Sequence, residues 1–231
     1  MKEHIYSIPL TEALEEKCGC ILCILEKKLE QQAISYFLGP SLMEPDGRSI
    51  TNEKGFCRRH MGMLFEEKNR LGLALTLETH IKEIEDKLKI KKKQGMFSKE
   101  STAMLTSQNL YGITKSCALC DKMNSQIFAA AGNIAYLWDS NEDFRKMFEE
   151  SQGLCLEHMA LAIEACDKEL SEKKKEKYIN MLIEKQKNLL AQIYENLHTF
   201  TLSFDYRNAG KELSKAEKES VQTAVKHLTK Y

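Results

Sequence analysis

The sequence predicts an all-α protein, and three observations carry that expectation. Valine, a strand-favouring residue, occurs only at Val221 and Val225 in 231 residues. The three prolines, Pro9, Pro40 and Pro45, all lie near the start of the chain, so nothing beyond them is forced out of helix by proline. The remainder is rich in Glu, Lys, Leu, Met and Ala, with apolar residues recurring at helical spacing.

Taken in order, residues 1–10 read as an irregular lead-in, followed by a helix over about 11–38 whose stripe is Leu22, Leu25, Leu29, Ala33 and Phe37. Gly39-Pro40 should stop it, and Pro45-Asp46-Gly47 reads as a turn in a loop reaching about Gly55. A second helical run is expected from near Cys57 to about Lys92, striped by Leu73, Leu77, Ile81, Ile84 and Leu88 and open to a bend at Gly72. The polar stretch that follows is the natural linker. A helix over about 118–138 carries Leu119, Met123, Ile127, Ala130, Ile134 and Leu137. Ser140 to Asp143 fits a capping box that opens a short helix to about Glu150. Neither Gly nor Pro occurs from Leu154 to Ala209, which allows one very long helix or two broken near Leu170-Ser171. Ser214-Lys-Ala-Glu217 is a second capping box, for a last helix to about residue 229. The expected organisation is two tandem helical repeats with a long C-terminal helical extension: 1–92, a linker over 93–116, and 117–231.

Charge excludes little but favours nothing exotic. Lys plus Arg and Asp plus Glu both number 34, so no net field draws the chain to nucleic acid or to an anionic membrane. No apolar run approaches the ~18 residues of a membrane span, and the opening MKEHIYSIPLTEALEEK has no long apolar core of a secretory signal. A cytoplasmic protein is the expectation. In such a reducing compartment, eight grouped cysteines point to metal or thiol chemistry rather than to disulfides.

Two short patterns recur in the same order. Cys20-Ile-Leu-Cys23 is followed by Gly55-Phe-Cys57-Arg-Arg-His60, and Cys117-Ala-Leu-Cys120 by Gly153-Leu-Cys155-Leu-Glu-His158. The first cysteine precedes the third by 37 residues in one half and 38 in the other, which argues for an internal repeat. A two-residue gap lets both donors of a hook face one ion, and two hooks supply the four donors of a tetrahedral site. Thiolate and imidazole suit zinc rather than magnesium or calcium. Two zinc ions are therefore expected, on Cys20, Cys23, Cys57, His60, Cys117, Cys120, Cys155 and His158. Gly55 and Gly153 place the CxxH hooks at helix starts, where amides and dipole favour thiolate. Three thiolates and one divalent cation leave about −1 per site, which Arg58 and Arg59 help offset in the first copy. Pairing within each half is favoured, and exchange of hooks between halves is the alternative.

Other readings stay open at this level. Buried structural cysteines would suffice for one CxxC, though not for a matched pair of motifs. An iron–sulfur cluster is the rival metal, since Cys18-Gly-Cys20-x-x-Cys23 has an extra thiol; the second half lacks it, and Cys18 and Cys166 read as spare thiols. A thiol-redox role ranks below, without a strand–helix pattern to carry it. The basic runs at Lys89–Lys93 and Lys173–Lys175 permit a nucleic-acid-binding alternative but more often mark solvated helix ends. His4, His80, His198 and His227 fit no ligand spacing, and Arg207 of Phe204-Asp-Tyr-Arg-Asn208 is at most an anion contact.

The order CxxC, GFCxxH, CxxC, GLCxxH, with FDYRN before a final helix, resembles an uncharacterised bacterial family known only as a domain of unknown function. The resemblance implies a mostly helical intracellular protein with the same eight candidate ligands, and no activity. With closed four-donor sites and no recognisable catalytic set, the chain is expected to be a non-enzymatic interaction or scaffold module. Its partner would be a macromolecule, a protein or a second copy of the chain, rather than nucleic acid or a membrane.

Overall fold

Every regular element is helical in the computed structural model, which describes residues 7–16, 19–91, 101–208 and 212–229; no strand forms among them. The helices are α1 (Ser7–Glu15), α2 (Ile21–Phe37), α3 (Pro45–Lys54), α4 (Arg58–Glu66), α5 (Arg70–Lys87), α6 (Thr102–Lys115), α7 (Ala118–Ser140), α8 (Glu142–Glu150), α9 (Leu156–Glu169), α10 (Glu172–Leu202), α11 (Lys215–Lys218) and α12 (Ser220–Thr229). Single 3₁₀ turns lie at Pro40–Leu42 and Tyr206–Asn208. No described helix is long and apolar enough to cross a membrane.

The chain divides into two compact units, one of residues 1–27 with 126–231 and one of residues 28–125. The divisions fall inside α2 and inside α7. They do not coincide with the sequential halves 1–92 and 117–231 that the repeat suggested.

The unit of residues 28–125 is built on one face of α2. Ala33, Ile34 and Phe37 recur at helical spacing and join Leu64, Leu73, Leu119 and Met123 in a single buried cluster. Phe56 meets Phe37 edge-on at 5.3 Å. In the other unit α10 packs on α9 and α12, and α1 on α8. Trp138, Phe148, Tyr178 and Leu182 are buried there, with the Trp138 and Tyr178 rings 5.2 Å apart. Along α10, Tyr178, Leu182 and Ile193 recur at helical spacing and are buried, while Tyr194 on another face is exposed.

Local chemistry explains where the elements differ from expectation. The first predicted helix is two, α1 and α2, and α1 already begins at Ser7; Gly19 between them has φ +76°. The expected Pro-Asp-Gly turn is the start of α3 instead: Pro45 sits at the first helical positions, where its missing N–H costs nothing, and Asp46 faces the dipole. The second helical run breaks at 67–69 because Asn69 caps a new helix through the Gly72 N–H, 2.9 Å from its Oδ1. Gly72 therefore lies in the first turn of α5 rather than at a bend. Within the expected linker, Ser101 accepts from the Met104 N–H at 3.1 Å and opens α6; residues 92–100 lie outside the described ones. The short helix α8 is capped by Asn141 rather than Ser140, and its Oδ1 accepts from the Phe144 N–H at 3.0 Å. The 154–209 stretch is broken at Leu170-Ser171, the second of the two possibilities, and the capping box at Ser214 and Glu217 forms as expected.

Gly55 closes α3 and leads into the second hook. Its φ is +57°, and a Cβ built there would stand 2.2 Å from His80 Nε2. Gly55→Ala should lower unfolding free energy by about 1–3 kcal/mol. Gly62→Ala, inside α4 where a Cβ meets nothing within 4 Å, should instead be neutral or stabilise by up to about 1 kcal/mol. Urea unfolding of the two variants beside the parent protein measures both.

Candidate metal centres

Each hook opens a helix in the same way. The carbonyls of Cys20, Cys57, Cys117 and Cys155 accept the first helical bond, from Ile24, Met61, Asp121 and Met159 respectively, at 2.8 to 3.2 Å. The first cysteine of every hook is thus a helix N-cap, and the second donor stands three residues on, in the first turn. Cys57 and Cys155 have nearly the same backbone, with φ −65° and −68° and ψ 164° in both. In the Cys117 hook a first-turn amide meets the sulfur: the Cys120 N–H donates to Cys117 Sγ at 3.4 Å.

The hooks converge in pairs, two per centre. Cys20, Cys23, Cys155 and His158 form one group and Cys57, His60, Cys117 and Cys120 the other, each with its four donor atoms within 4.8 Å of one another, so each could hold a metal ion. This corrects the expectation of pairing within each half: the CxxC of one half meets the CxxH of the other. Each compact unit therefore contains one whole group, the first in residues 1–27 with 126–231 and the second in 28–125.

Short contacts before each hook hold the exchange in place. Gly19 N–H donates to Gln152 Oε1 at 2.8 Å in the first group. In the second, Ala118 N–H donates to the Gly55 carbonyl at 2.9 Å and Ser116 Oγ to the Lys54 carbonyl at 2.8 Å. Gly153, like Gly55, has a positive φ, +85°.

Within the first group, His158 Nδ1 lies 3.4 Å from Cys20 Sγ, 3.3 Å from Cys23 Sγ and 3.3 Å from Cys155 Sγ, and the Cys23 and Cys155 sulfurs are 3.7 Å apart. Within the second, His60 Nδ1 lies 3.4 Å from Cys57, 3.3 Å from Cys117 and 3.3 Å from Cys120, and the Cys57 and Cys120 sulfurs are 3.9 Å apart. Both histidines are buried, as are Cys117 and Cys155; the other four donors are partly so.

Both imidazoles turn Nδ1 to the sulfurs and leave Nε2 for a carboxylate. His60 Nε2–H donates to Glu30 at 2.9 Å, and the Arg59 guanidinium donates to the same carboxylate at 2.8 Å. Glu26 stands 3.6 Å from His158 Nε2. Sequence reasoning singled out Arg59 for its charge but passed over both glutamates. The available signal was a carboxylate one or two turns beyond a CxxC, in the segment Glu26-Lys-Lys-Leu-Glu30. The repeat does not extend to them, because α7 carries no equivalent pair.

Crowded thiols and imidazoles perturb one another's protons. His60 is pushed up to about 9, chiefly by its hydrogen bond to Cys117 and against the effect of burial. His158 also rises to about 9: burial works against the charged ring, and hydrogen bonds to Cys155 and Cys20 outweigh it. Burial raises Cys117, but the His60 partner prevails and holds it at about 6. Burial and the Cys117 neighbour push Cys120 up to about 12. Cys155 is lowered by hydrogen bonds from Cys20 and Cys23, while Cys23 is raised by its hydrogen bond to Cys155. Without an ion, each group holds protons that a cation would displace.

The remaining candidates stay apart from these centres. Cys166 is buried within α9, and Cys18 and His4 lie outside the described residues. His80 bonds the Asn52 carbonyl at 2.7 Å and His227 meets Gln186 at 2.5 Å. Lys174 pairs with Asp139, and Lys175 with Asp167 and Glu172, so two of the three lysines of this basic run are engaged by acids of the chain itself. Arg207 is likewise paired with Asp205.

No curated protein and no solved structure matches the chain. Residues 1–231 match the family described as "Family of unknown function (DUF6062)". With the match running over that whole span, the chain belongs to this family, an uncharacterised one as the motif resemblance implied.

Proposed function

We propose that the chain is a non-enzymatic, zinc-stabilised helical scaffold, holding one structural zinc ion in each Cys₃His group and presenting its helical surface to another protein or to a second copy of itself. The observation that carries the reading is the closed set of four donors in each group, all within 4.8 Å. Around a tetrahedral zinc, Zn–S of about 2.3 Å and Zn–N of about 2.0–2.1 Å imply S···S edges near 3.8 Å and S···N edges near 3.5 Å. The S···S separations of 3.7 and 3.9 Å and the S···N separations of 3.3 and 3.4 Å agree within a few tenths of an ångström. A multi-iron cluster distributes its ligands over several irons and needs a wider cage. Four protein donors leave no position for substrate, which favours a structural over a catalytic ion. Unbridged thiolate donors suit a reducing compartment such as the cytoplasm.

Protein purified without chelators should be colourless and contain about two zinc ions per chain by elemental analysis. A brown protein absorbing near 400 nm would point to iron–sulfur instead. Cys57→Ser or His158→Ala should each remove one ion and lower stability by about 4 kcal/mol, since metal affinity at a structural site is folding energy. In a chain of this size that is a fall of about 8–16 °C in thermal midpoint. Unchanged midpoints in both variants contradict a structural role.

Loading should also release protons. With His60 and His158 raised to about 9, both rings are protonated at neutral pH without metal, and an ion must displace those protons. Zinc affinity should therefore weaken steeply toward pH 5 and keep rising through pH 9, because Cys120 and Cys23 still hold protons there that the ion must displace. Calorimetric titrations in buffers of different ionisation heat measure the protons released; a pH-independent affinity with no release rules this out.

A further inference from the structure

The two centres share a donor set but not a setting. His60 Nε2–H donates to Glu30 at 2.9 Å, within ordinary hydrogen-bond range. Glu30 is only 5% exposed and is fixed from its other side by Arg59 at 2.8 Å. His158 Nε2 is buried with no hydrogen-bond partner, and the Glu26 carboxylate stands off at 3.6 Å with 19% of its side chain exposed. The carboxylates lie one turn apart on a single helix, α2, yet only one reaches its imidazole.

A carboxylate on the far nitrogen of a metal-binding imidazole does two things. It fixes the tautomer, so that Nδ1 presents its lone pair to the ion, and it raises the basicity of that lone pair. We infer that Glu30 is a positioning residue, and that it makes the two centres unequal: the His60 centre holds its ion tightly, and the His158 centre is the exchangeable one. This rests on the metal reading proposed above. Arg59 belongs to the same device, since an unbalanced buried carboxylate beside three thiolates would add repulsion to a centre that, with its ion, would already carry an excess of negative charge. The surroundings of the His60 centre thereby retain a compensated charge, and the Glu30 oxygens are held in place by two donors.

The test uses the full-length zinc-loaded protein and a chromophoric chelator in excess. Zinc release should be biphasic, about one ion per chain in each phase, with rates differing by about tenfold or more, the scale of a second partner's effect on affinity. Glu30→Ala should accelerate the slow phase about 10–100-fold and leave the fast phase unchanged. Glu30→Gln, which keeps the shape and an acceptor oxygen, should recover part of the loss and covers the case in which the alanine variant does not fold. Glu26→Ala should leave the slow phase untouched. A readout that mere packing would not move is the imidazole Nε2–H of His60: it should appear as a slowly exchanging nitrogen-bound proton by NMR in the zinc protein and vanish in Glu30→Ala. Two ions leaving at one rate, or a slow phase indifferent to both Glu30 variants, overturns the inference while leaving the zinc sites standing. A parent protein with no bound metal overturns the metal reading itself, and this inference with it.

Discussion

Sulfur at a helix N-cap is the interaction on which the arrangement depends. Four helices begin on a cysteine whose carbonyl accepts the first helical bond, so the positive end of each helix dipole lies beside its sulfur. Two such ends per group bring three sulfurs and one imidazole nitrogen within 4.8 Å. Without a cation the crowded group retains protons on its imidazole and on one of its thiols, Cys23 in the first group and Cys120 in the second, and these hydrogen-bond to the lowered Cys155 and Cys117. A divalent ion bound there would replace those protons and convert mutual repulsion into a bond network, coupling ion binding to packing. Cys117, Ala118 and Leu119 show the coupling within one hook: they lie in the same buried cluster as Phe37 and Leu64.

The exchange of hooks gives the centres a second consequence. Each ties together segments far apart in the chain, 132 residues between Cys23 and Cys155 and 63 between Cys57 and Cys120. A zinc ion on each would act as a long-range staple on chain termini and middle alike. The backbone repeats faithfully at the hooks, down to matching φ and ψ at Cys57 and Cys155, but what stands behind the imidazoles does not repeat.

The donors were legible in the sequence because coordination chemistry restricts both residue type and spacing. Four hooks at matched intervals leave little freedom, and Gly55 and Gly153 mark the helix starts by needing positive φ. Their pairing was not legible. Loop-closure entropy grows as a logarithm, so closing over 132 residues rather than about 34 costs only roughly 1 kcal/mol more, too little to choose a partner. The all-α class followed from composition, while α3 and α6 were hidden by local chemistry of their own. Pro45-Asp46-Gly47 suits a turn as well as a helix start, and the predominantly exposed face of α6 lacks the apolar stripe that marks a packed helix. Glu30 was invisible for a related reason: only tertiary packing turns one glutamate of a charged helix inward to His60.

The crossed pairing is the central claim, and a double substitution tests it most directly. Cys117 and Cys155 belong to different centres here, though they lie in the same half of the sequence. Elemental analysis of full-length Cys117→Ser with Cys155→Ser should find both ions lost, whereas Cys117→Ser with His60→Ala should lose only one. If the first double variant retains one ion and the second loses both, each half binds its own metal and the account is wrong.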